Sequence, residues 1–192
     1  MCVLAAAFAV SNPGCKAKDE AGKATPTASN PGNNISINSA DGKTTLILQE
    51  DDNGYQLADA AGKNVGRIRI EGDKIKMRDG VGRVSKARRN GDVFIIYARS
   101  KVVLKAKKRG KRKFRLRTGE DAEMGMVRGN EITLTNGETI VATTVGGKVS
   151  VTRAGKQLFT VTKLTGNEAV FLGLTEITLQ QRVAAALASA RW

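Results

Sequence analysis

The chain reads as a mainly β protein: an antiparallel meander forming a barrel-like domain with an apolar C-terminal helix, preceded by a disordered leader and linker. Three observations predict this. Between residues 44 and 163, short segments of alternating or wholly apolar character follow one another, separated by Gly, Asn and Asp; that is the period-2 signal of antiparallel strands. Residues 174–192 change to helical spacing. Residues 16–42 are rich in Ala, Gly, Pro, Ser, Thr, Asn and charge, with almost nothing apolar to bury, the composition of a tether. A chain of 192 residues holds one domain with a substantial core plus a tail. The boundaries expected are therefore a leader over 1–15, a flexible linker over 16–42 and one β-rich domain over 43–192.

The leader begins with an uncharged apolar run, residues 3–10 (VLAAAFAV), followed by Ser11-Asn12-Pro13-Gly14 and then Cys15. The order is that of a short hydrophobic region, a turn-like region and a cleavage site. The run is too short to span a bilayer as a helix. Only Met1 and Cys2 precede it, so the positively charged segment expected of such a leader predicts a start further upstream. Gly14-Cys15 resembles the end of a bacterial lipoprotein signal, in which a small residue precedes a cysteine that is lipidated and becomes the new N-terminus. The resemblance implies a lipid on Cys15, and Lys16 after it implies sorting to an outer membrane facing the periplasm. An ordinary secretory leader carrying an incidental cysteine, or a cytosolic N-terminus, is the alternative. Cys2 and Cys15 are the only cysteines, so neither can staple the domain.

In the domain the candidate strands run over residues 44–49, 55–58, 66–71, 74–78, 84–88, 93–99 and 102–107, then 113–117, 124–128, 131–135, 139–144, 148–152 and 158–163. Glu71-Gly72-Asp73, Gly129-Asn130, Asn136-Gly137 and Gly146-Gly147 are turn signals at hairpin spacing. The final element contains Thr175 as a candidate N-cap, then Leu179, Val183, Ala184, Ala186, Leu187 and Ala190. Because residues 184–186 are apolar on all sides, much of that helix should be buried.

The charge is uneven. The chain has 32 Lys and Arg against 18 Asp and Glu, a net +14. Residues 63–117 alone hold 21 basic and four acidic side chains, whereas the segments on either side are close to balanced. Within this stretch Arg67-Ile68-Arg69-Ile70, Lys74-Ile75-Lys76-Met77 and Lys113-Phe114-Arg115-Leu116-Arg117 alternate basic with apolar. A strand of that pattern buries one face and exposes a row of cations. Residues 107–113 (KKRGKRK) crowd six cations into one hairpin tip, at a cost in self-repulsion that an anionic partner would relieve. The candidate anion-binding surface is accordingly Lys105, Lys107, Lys108, Arg109, Lys111, Arg112, Lys113, Arg115 and Arg117. The plain alternative is a solvated face whose Lys and Arg discourage edge-to-edge aggregation.

A succession of about a dozen short strands before an apolar terminal helix resembles the tubby C-terminal or LURP-one-like barrels, with residues 55–66 (YQLADAAGKNVG) and 171–187 carrying the likeness in detail. That resemblance implies a closed barrel around a buried hydrophobic helix, and binding of phosphoinositide-like or other anionic lipid headgroups rather than catalysis. An open sandwich with the helix packed across one end is the alternative architecture.

No histidine is present, which removes the commonest general base and the commonest metal ligand at neutral pH. No phosphate-binding loop, nucleophile elbow, zinc-protease helix or calcium loop occurs. The acidic groups Glu50-Asp51-Asp52 and Glu120-Asp121-Ala122-Glu123 read as loop charge balancing basic neighbours. The expectation is a non-enzymatic protein without cofactor or metal, attached to a membrane through its N-terminal lipid in a bacterial cell envelope, with an anionic lipid or polysaccharide as partner. A nucleic-acid-binding β-module is the alternative. The leader and an aromatic content of only 4% weigh against it, since single strands are held largely by stacking on aromatic rings.

Overall fold

The structure is a computed structural model that describes residues 34–191. Fourteen antiparallel strands form one closed barrel in which each strand pairs with its neighbours in sequence and the first pairs with the last. They are β1 (Ile35–Ser39), β2 (Thr45–Asp51), β3 (Gly54–Ala58), β4 (Asn64–Glu71), β5 (Lys74–Asp79), β6 (Val84–Asn90) and β7 (Val93–Ala98). The second half comprises β8 (Lys101–Gly110), β9 (Lys113–Thr118), β10 (Glu123–Arg128), β11 (Glu131–Leu134), β12 (Thr139–Val145), β13 (Lys148–Arg153) and β14 (Lys156–Thr162). Closure excludes the open sandwich.

Inward residues alternate along every strand, as Ile75 and Met77 do on β5 or Leu104 and Ala106 on β8, and all belong to one buried cluster. Most outward positions between them are polar or charged, with Ile47, Ile95, Met126 and Val141 among the half-buried exceptions. The apolar side therefore faces in and the charged side out, the inverse of a barrel whose outer face meets lipid.

A barrel of this many strands is too wide for its own side chains to fill. The chain after β14 fills it. A short helix α1 (Gly166–Ala169), a 3-10 turn (Val170–Gly173) and the helix α2 (Leu179–Arg191) follow in succession. Val170, Phe171, Leu172 and Ala184 through Ala186 are fully buried. The 3-10 turn packs on β11 to β14, whereas α2 packs on β5, β6 and β7, so the two together bridge opposite walls. Phe171 meets Phe94 of β7 at 5.8 Å and Phe114 of β9 at 6.1 Å between ring centres. Gly173 permits the tight passage, because a Cβ there would run into the Ile140 side chain. An encircled helix must be apolar all round, and this explains the Ala-rich sequence of α2. Its 13 residues give a length of about 20 Å, comparable to the wall.

Two expectations need correction. β1 lies in the stretch read as a linker, so the domain begins near Ile35 and not at residue 43; Ser36 and Asn38 hid the alternation that buries Ile35 and Ile37. The terminal helix starts at Leu179 and not after Thr175. Thr178 caps it: its N–H donates to Gln181 Oε1 at 2.9 Å, and its hydroxyl accepts from the Gln181 N–H at 3.4 Å, a capping box. Thr175 instead accepts a hydrogen bond from Arg153 Nη1. Arg153 also pairs with Glu138 at 2.6 Å and Glu176 at 2.7 Å, clamping the entry to α2 onto the barrel rim. Cys15 and the first part of the expected linker lie outside the described residues.

Candidate anion-binding wall

The meander turns the uneven charge of the sequence into geometry. Strands β4 to β9 are six adjacent neighbours in the barrel, and they span almost the same residues as the basic stretch 63–117. The cations therefore cover one continuous wall, and the remaining circumference carries a near-balanced charge.

Cross-strand registers set which cations meet. On β8 and β9, Lys105 stands opposite Arg117 and Lys107 opposite Arg115. Two carboxylates from the β9–β10 turn and β10 intervene. Asp121 accepts from Lys105 Nζ at 2.7 Å, and Glu123 receives Arg115 through two hydrogen bonds, at 3.1 and 2.8 Å. The hydrogen bond from Lys105 holds the Asp121 carboxyl below the usual range, as that from Arg115 does for Glu123. Two of the nine candidate anion-binding residues thus already have acidic partners, and the acidic group 120–123 serves as their counter-charge. Asp51, in the other acidic group, pairs with Arg67 at 3.0 Å. Lys107, Lys108, Arg109, Lys111, Arg112 and Lys113 are exposed at the tip of the β8–β9 hairpin, where Arg112 adopts a left-handed φ of 57°.

A second group on the same wall was not singled out as a site by the sequence. On β5 and β6, Lys74 faces Arg88 and Lys76 faces Lys86; on the β4 side, Arg69 faces Lys76. Like charges directly opposed across strands destabilise a sheet. Among the described residues, no ion pair reaches Arg69, Lys74, Lys76, Lys86 or Arg88. Lys74, Lys76, Lys86 and Arg88 border a groove of about 910 Å³ on the outer face of β5, β6 and β7, which also reaches Arg83, Tyr97 and Arg99. Arg83 is held at 2.6 Å by Asp79. Burial pushes the Asp79 carboxyl up, and the hydrogen bonds from the Arg83 side chain and backbone outweigh it to leave the group more acidic than usual. Tyr97 is half-buried and lies in register with Lys86, so its ring faces the groove. Helix α2 packs against the inner side of these same three strands, giving the groove a rigid floor.

The alternation in Lys74-Ile75-Lys76-Met77 signals one side of this groove. The other side was hidden, because residues 84–90 (VSKARRN) bury only Ala87. No group of three or more acidic or cysteine side chains able to hold a metal ion occurs among the described residues. No helix among them is long and apolar enough to cross a membrane. Compared with known protein families, with curated proteins and with solved structures, the chain finds no match.

Proposed function

We propose that this chain is a non-enzymatic protein of a bacterial cell envelope, tethered by a lipid on Cys15 to the outer membrane and facing the periplasm. Its basic β4–β9 wall binds anionic partners, either lipid headgroups or acidic glycan. The observation that supports this reading is the gathering of the Lys and Arg of six adjacent strands onto one wall, with the opposed cations Lys76 and Lys86 reached by no ion pair among the described residues. Such a surface costs self-repulsion in the free protein and attracts polyanions through a long-range, salt-sensitive field. The apolar run 3–10 ending at Gly14-Cys15, followed by a polar stretch, supports the tether.

The binding claim is tested by titrating the full chain with phosphatidylglycerol vesicles and with a uronate polysaccharide between about 50 and 200 mM salt, the range over which contacts to several fixed anions weaken steeply. Salt-sensitive binding to either is expected; binding to neither removes the reading. The anchor is tested separately by metabolic labelling of the expressed protein with a palmitate analogue. Label should be lost in Cys15→Ala, and equal labelling of the two forms contradicts the anchor.

A further inference from the structure

We infer that the groove over β5, β6 and β7 is the binding site proper, and that its ligand is an extended acidic polysaccharide strand lying along β6. This inference rests on the proposed anion-binding function and narrows it from two ligand classes to one.

The cations along the groove are arranged as rungs. Lys74 with Arg88 forms one and Lys76 with Lys86 the next. Toward the opposite end of the barrel, Arg83 and Arg99 border the groove, brought together where the Arg99 N–H donates to the Val84 carbonyl at 2.9 Å. Successive outward residues of a strand are about 7 Å apart, and neighbouring strands about 4.8 Å. From Arg83, the residue before β6, to Arg88, five residue steps on, the groove therefore carries positive charge over a length of about 17 Å. A single headgroup engages one or two such rungs. A linear polyanion engages all of them, and each rung held in place raises the effective concentration of the next anion.

Surface chemistry separates the candidates further. Among the described residues the only large apolar side chains strongly exposed are Val81 and Val145. Val81 is in the β5–β6 turn and Val145 ends β12 toward the opposite rim, so they form no shared patch to enter a bilayer. A nucleic-acid strand would want a series of stacking rings. The groove offers one, Tyr97, since Phe94 and Phe114 are buried in the core. One ring with a hydroxyl, set beside Lys86, suits the mixed apolar and polar face of a sugar, while the flanking cations meet its carboxylates.

The test measures affinity of the full chain for uronate oligosaccharides of increasing length, for phosphatidylglycerol vesicles and for single-stranded RNA of matched charge. Affinity for the oligosaccharides should rise with length and level off once the groove is spanned. K76Q/K86Q/R88Q should weaken it at least tenfold, whereas K111Q/R112Q/K113Q, which removes the same charge from the hairpin tip, should weaken it less than threefold. Tyr97→Leu should lower affinity several-fold without altering its salt dependence. Circular dichroism and melting of each variant distinguish lost binding from lost fold. Equal losses from the groove and tip variants overturn the inference, as does binding to vesicles or RNA but not to oligosaccharide. Equal losses, or binding to vesicles, leave the broader proposal standing; binding to RNA alone, or absence of binding to all three probes, removes both.

Discussion

Phe171 and Arg153 illustrate how single residues hold the filling of this barrel in place. Phe171 touches the rings of Phe94 and Phe114 across the lumen and is fully buried. Phe171→Ala leaves a cavity in a closed wall that cannot collapse around it, and should cost about 3–5 kcal/mol; chemical denaturation measures it directly. Arg153 acts from the rim. Its side chain is 16% exposed and holds both Glu138 and Glu176, fixing the turn into α2. Arg153→Ala should lower the melting temperature by a few degrees, a modest effect because both carboxylates are partly open to solvent. The hydrogen bond from Arg153 holds the Glu138 carboxyl below its ordinary value of 4.5. The folded state then binds a proton less readily than the unfolded one, so this contribution is complete above about pH 4.5 and is lost as pH falls through the folded value. The melting temperature of the parent protein should consequently fall more steeply with acid than that of Arg153→Ala.

At the level of elements, strand β1 decides whether the barrel has edges. It pairs with β14 on one side and β2 on the other. Deleting residues 1–40 would expose both of those strands as unpaired edges, and edges of that kind seed association. Light scattering of the truncated chain should show oligomers or aggregate where the full chain is monodisperse. The β5–β6 pair carries the opposite tension. Removing a cation from the Lys76–Lys86 pair should raise the melting temperature of the free protein at low salt, with the gain vanishing at high salt, while binding weakens. Stability gained where function is lost marks a surface kept for its ligand.

The same elements show what the sequence could and could not reveal. Thirteen strands were legible because turn residues and alternation punctuate them. β1 was not, since Ser36 and Asn38 separate its two buried isoleucines inside a polar stretch. The helix was legible in its alanines but not in its start; the pair Thr178 and Gln181 carried that signal. The hairpin tip drew the sequence reading because its cations are contiguous. The groove escaped notice because its rungs join residues ten or more apart, Lys76 with Lys86 and Lys74 with Arg88, and only register brings them together.

Taken whole, the molecule is a closed barrel whose lumen is filled by its own C-terminal segment and whose outer surface is electrically one-sided. Among the described residues the C-terminal segment leaves clefts of about 450 and 210 Å³ at one mouth of the barrel, beside Gln180, whereas the larger groove of about 910 Å³ lies on the cationic exterior. The one-sidedness follows from sequence order alone, since a meander maps a contiguous basic stretch onto adjacent strands. Lysine footprinting by limited acetylation and mass spectrometry, with and without a uronate oligosaccharide that saturates the full chain, tests this most directly. Lys74, Lys76 and Lys86 should be shielded by the ligand, while the exposed Lys43, Lys148, Lys156 and Lys163 on the rest of the barrel react as they do without it. Uniform shielding, or shielding confined to the second group, would contradict a binding wall formed by β4 to β9.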